Sequence, residues 1–104
     1  MASLFGARNE LSIPEKVRGD KSAAELIRAW VTTSGDVHVT IKTDVWPDPA
    51  AYGIVLADLA WHIANGFHQS QGEDVAEALR RVVEGFSAEV GSPTDTPTGQ
   101  IQQP

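Results

Sequence analysis

The sequence predicts a small, helix-dominated α+β domain with the element order β-α-β-α-α, and three observations lead there. Residues 37–42 alternate apolar and polar side chains with the two-residue period of a strand. Residues 48–69 and 70–90 instead repeat apolar side chains at steps of three and four, as one face of a helix does. A chain of 104 residues, 41% hydrophobic, is one domain's worth of polypeptide with a small core.

Each element can be justified in order. Residues 1–8 are expected to be a flexible N-terminus, and "NELSIP" places Leu11 and Ile13 in alternation, a short strand ended by Pro14. After the charged connector "EKVRGDK", "SAAELIRAWV" sets Ser22 three residues before Glu25, the spacing of a capping box. Ala23, Leu26, Ile27, Trp30 and Val31 then recur at helical steps, predicting a first helix that stops near Gly35. "DVHVTIK" is the clearest strand: Val37, Val39 and Ile41 on one side, His38, Thr40 and Lys42 on the other.

The longest helix is predicted from Asp48, an N-cap, and Pro49, at the first helical position, to about residue 69. Tyr52, Val55, Leu56, Leu59, Ile63 and Phe67 form one apolar stripe; Ile54, Ala57, Trp61 and Ala64 form a second beside it. So wide a surface implies a central helix or one that also serves a subunit contact. Ser70 and Glu73 suggest a second capping box, and Val75, Leu79, Val82, Phe86 and Val90 step along the next helix. The short break at 69–72 favours an antiparallel helix hairpin. The domain is taken as 9–91, followed by an extended Pro/Thr/Gly-rich tail at 92–104. That tail could dock as an added edge strand or stay disordered. Two strands make a poor sheet alone, so a homodimer that joins half-sheets or packs helix faces together is expected.

Composition excludes several classes. There is no cysteine, hence no disulfide, thiolate zinc site or cysteine nucleophile. The net charge is −6, with the acidic excess confined to residues beyond 28, so neither nucleic acid nor an anionic membrane is an expected partner. No apolar run is long enough to span a bilayer or serve as a signal peptide, so a cytoplasmic, bacterial-type protein is expected.

The pieces "NELSIP", "AAELIRAWV", "DVHVTIK", "WPDPAAYGIVLADLAWHIA" and "SPTDTPTGQI", in that order, cover most of residues 9–101. In this the chain resembles a small bacterial family of about this length, found mainly in alphaproteobacteria and known as a domain of unknown function. The resemblance implies that the tail belongs to the domain. It carries no activity, cofactor or catalytic residue.

Asp58 and His62 are one helical turn apart and share a polar stripe with Asn65 and Gln69. They are read as a solvent-facing pair or, if His38 is brought to them, as part of a three-residue site in which His62 is the base. His38 on its strand is otherwise an exposed neighbour of Thr40 and Lys42. His68, six residues from His62, points elsewhere and is expected to cap the helix C-terminus. Trp46, between strand and helix, is the tryptophan expected to stand partly exposed at a contact. No metal ligand spacing and no phosphate-cradling glycine loop is present, so no cofactor is implied. Two functional readings follow. One is a non-catalytic interaction or accessory module that self-associates, with room for a further protein partner. The other is a small-molecule or metal-binding protein, enzymatic or not, using His38, Asp58 and His62, with Trp46 as a further ligand contact.

Overall fold

In a computed structural model, which describes residues 9–92 and 99–102, six elements follow one another. They are helix α1 (Glu15–Arg18), strands β1 (Ile27–Val31) and β2 (Val37–Lys42), helices α2 (Pro49–Gln71) and α3 (Val75–Gly91), and strand β3 (Gly99–Gln102). The chain is thus a small α+β domain dominated by helix. Among the described residues no helix is long and apolar enough to cross a membrane. The expected flexible terminus at 1–8 lies outside the described residues, as do 93–98 and 103–104 of the tail.

The front of the chain corrects the predicted order. "NELSIP" forms no strand, and the short helix α1 follows it, begun by Pro14 without a side-chain cap. "IRAWV", read above as the end of a helix, is β1. Its alternation of Ile27, Ala29 and Val31 with Arg28 and Trp30 fits both periods, and pairing with β2 decided between them. The expected capping box does not form: the Ser22 backbone N–H donates to Asp20 Oδ1 and Glu25 turns to Arg28.

β1 and β2 make an antiparallel hairpin, Ile27 opposite Ile41, Ala29 opposite Val39 and Val31 opposite Val37. Directly opposed residues share a face, so all six lie on one side of the sheet, and Arg28, Trp30, His38 and Thr40 lie on the other. The loop between the strands is closed by backbone bonds from Thr32 N–H to the Asp36 carbonyl and from Gly35 N–H to the Thr32 carbonyl. Gly35 has φ 92°, a conformation that other L-residues reach only with strain. β3 lies parallel to β2 on its far side, Gly99 against Val39 and Ile101 against Ile41, giving the strand order β1-β2-β3.

α2 starts as its sequence dictates: Asp48 Oδ1 accepts the Ala50 N–H at 3.0 Å and Pro49 opens the helix. It runs past Ser70, so the second expected capping box is replaced by Asp74, whose carboxylate accepts the Glu77 N–H. Gly72, at φ 72°, ends α2, and its N–H returns to the His68 carbonyl. α3 then packs antiparallel to α2. The only buried side chains among the described residues are alanines, Ala64 of α2 (0% exposed) and Ala78 of α3 (5%).

Among the described residues neither long helix packs on the sheet. The chain passes from β2 into α2 and returns to the sheet after α3 as β3, and side-chain bonds hold the first of these junctions. There Tyr52, in the first turn of α2, donates its hydroxyl to the Lys42 carbonyl at 2.7 Å and accepts the Val45 N–H at 3.4 Å. Trp46 stands edge-on to the same ring, with centroids 5.5 Å apart. This clamp fixes where the hairpin leaves the sheet.

Two substitutions check the helix ends. Asp48→Ala is expected to cost about 1 kcal/mol through the lost cap, and Gly72→Ala a similar amount, about 1–2 kcal/mol, through its left-handed backbone. Each should lower the melting temperature by several degrees, about 4–8 °C per kcal/mol, in calorimetry at fixed protein concentration.

Candidate functional site

Ala64 and Ala78 are the most buried side chains of α2 and α3, and several larger ones remain partly outside. Leu56, Leu59 and Ile63 of α2 and Val83 and Phe86 of α3 are each close to half exposed. With Gly53, Ala57, Ala60 and Val82 they line one open groove of about 440 Å³, apolar save for Ser87. The far side of α2 carries Ile54 and Trp61, also exposed. An exposed apolar surface of this extent is characteristic of an interaction site.

A charged row on α3 borders the groove beside Val83 and Ser87. Arg80 bridges Glu77 and Glu84, with Nε 3.2 Å from Glu77 Oε1 and Nη1 3.3 Å from Glu84 Oε2. The hydrogen bond from Arg80 holds the Glu77 carboxyl below its ordinary value; desolvation opposes this, and the charges of Arg80 and Arg81 add to it. Arg80 is held correspondingly further toward its charged form, chiefly by Glu77.

The second concave region is a cleft of about 510 Å³ between segment 9–14 and β1, lined by Leu11, Ile13, Val17, Ile27 and Trp30 among others. Its wall is thin, since Leu11 is 91% exposed. At its rim Arg28 donates to Glu25 (2.8 Å) and to Glu10 (3.0 Å), and its guanidinium lies 5.9 Å from the Trp30 ring centroid. These contacts, the Glu25 hydrogen bond foremost, hold Arg28 further toward its charged form. They ring an exposed group, where ion pairs add little to stability.

The residues singled out from the sequence lie in different places. His38 is exposed on the polar face of the sheet, opposite Trp30. Asp58 and His62 are exposed on α2, one turn apart. Because α2 does not meet the sheet, His38 is not brought to them within one protomer. Among the described residues no three His, Cys, Asp or Glu side chains gather where they could hold a metal ion. His68 sits at the end of α2 as expected, with Nδ1 2.8 Å from the Glu73 carbonyl. Trp46 is 40% exposed, but Trp61 is more so. The Arg28–Trp30 cluster escaped the sequence reading because its segment was assigned to a helix. The groove was foreshadowed by the double stripe on α2, though Val83 was not on the predicted stripe of α3.

The Glu77 shift carries a pH prediction. Its carboxyl is depressed in the folded state, so its stabilisation is present above the unfolded value and lost as pH falls through the folded one. Glu77→Gln should therefore flatten the acid limb of stability against pH, read as urea midpoints at successive pH values. An acid limb identical to wild type would show the pair contributes nothing.

The model of DUF5076, a domain of unknown function, matches residues 10–94. Among solved structures, a protein from the photosynthetic bacterium Rhodopseudomonas, provisionally labelled a pyruvate dehydrogenase, shares the fold with a TM-score of 0.73. The two sequences are 31% identical over 95% of this chain and 100% of that one. No curated protein matches the sequence. A family model spanning most of the chain, together with a fold shared at this identity, settles the relationship: the protein belongs to the DUF5076 family.

Proposed function

We propose that the protein is a non-catalytic, cytoplasmic interaction module whose working form is a homodimer. The observation that carries this reading is the groove of Leu56, Leu59, Ile63, Val83 and Phe86, five large apolar side chains left half exposed along one side of the hairpin.

The alternative, a small-molecule or metal site built on His38, Asp58 and His62 with Trp46 nearby, has less support. It needs three side chains that lie on separate bodies, and no polar or charged side chain among the described residues is buried. The label of the Rhodopseudomonas protein points to enzymatic chemistry. Acid–base and nucleophilic groups, however, work from desolvated, mutually oriented positions, and the described part of this protomer has none.

Sedimentation equilibrium is the test. The wild type should sediment at twice its 11.2 kDa chain mass at micromolar concentration. Phe86→Glu, placing a charge in the groove, should weaken association at least tenfold, equivalent to about 1.4 kcal/mol, and leave the helical circular dichroism of the protomer recognisable. A wild type that is monomeric at these concentrations removes the reading.

A further inference from the structure

We infer that the dimer is reciprocal, the apolar sheet face of each copy lying on the helix hairpin of the other. This rests on the self-association proposed above and specifies its geometry.

Two apolar faces in one protomer motivate it. The first is the hairpin groove. The second is the sheet face formed by Ile27, Ala29 and Val31 with Ile41, Val39 and Val37, at whose turn end Val31 is 68% and Val37 55% exposed. A sheet with one apolar face and a pair of helices with one apolar side make the two layers of an α+β domain. Here they belong to the same chain and do not meet. The connection explains why. Residues 43–48 contain Pro47, Pro49 follows, and Tyr52 is bonded to both Lys42 and Val45 with Trp46 against its ring. That clamp holds the start of α2 at the end of β2, so the hairpin departs from the sheet and does not fold back over it.

A second copy is the occupant that suits both faces at once. One twofold axis that seats sheet on hairpin necessarily seats the other sheet on the other hairpin, because a closed dimer uses each patch twice. A hairpin-on-hairpin dimer would leave both sheet faces in water. Dimensions agree: the six-residue β2 is about 20 Å long, and the 23-residue α2 about 34 Å. On the sheet Arg28, His38, Thr40 and Lys42 lie with Trp30 on the face that this packing leaves to solvent, and on α3 Arg80 and Glu84 border the groove beside Val83 and Ser87.

The absence of cysteine makes the test direct, because any introduced thiol is the only one. Val39→Cys, at the centre of the middle strand, and Phe86→Cys, in the groove, are prepared separately and mixed by unfolding and refolding together. They are then treated with a bismaleimide spanning about 10 Å, the spacing of packed layers. Reciprocal packing yields a cross-linked dimer from the mixture and little from either variant alone. A dimer by sedimentation in which each variant links chiefly to itself, or in which the mixture gives no cross-link, overturns the inference while leaving self-association standing. A monomer by sedimentation overturns both. Ile63→Cys in place of Phe86→Cys repeats the experiment if the Phe86 variant fails to refold.

Discussion

The close approach of α2 and α3 on alanine is the constraint from which the rest of the molecule follows. Where two helices meet through side chains as small as Ala64 and Ala78, little apolar area is removed from water between them. Leu56, Leu59, Ile63, Val83 and Phe86 are left at the side of the hairpin, while Val55, Val75, Leu79 and Val82 are half-buried. A hairpin so built holds its shape through backbone bonds and caps, and its hydrophobic stabilisation depends on what covers the flanks.

The sheet stands in the same position. Its hairpin loop, closed around Gly35, sets a register that gathers the aliphatic residues of β1 and β2 on one face and leaves Trp30 on the other. Among the described residues, the segment before β1 forms a cleft with Ile27 and Ala29 at its β1 edge. The Tyr52 clamp then matters beyond its two hydrogen bonds, worth about 1 kcal/mol each. It keeps two complementary layers apart in one protomer and makes them available to another. The function proposed here and the reciprocal geometry are both consequences of that separation.

How legible this was varied along the chain. The 37–42 strand, the N-cap at Asp48 with Pro49, the break near Gly72 and the C-terminal place of His68 could all be read directly, because each depends on neighbours within a few residues. "IRAWV" could not, since its side chains satisfy a helical and a strand period equally and only the pairing of Trp30 with His38 and Val31 with Val37 selects one. Ser22 with Glu25, and Ser70 with Glu73, have capping-box spacing without a helix start to cap; Asp20 and Asp74 took the local donors instead. The trio of His38, Asp58 and His62 failed to gather for a different reason. Proximity between a strand and a helix is a property of how they pack, and here they do not.

By itself, then, the sequence determined the local states whose causes are local: which residues of the 37–42 strand alternate, where α2 begins, that a break follows it near residue 70, and that α2 carries more apolar surface than one neighbour can cover. Only the tertiary structure decided that "IRAWV" is a strand, that β3 joins the sheet beside β2, and that the sheet and the hairpin stay apart. Those outcomes rest on pairings between residues distant in the chain and on one aromatic clamp, and period and propensity carry no information about either.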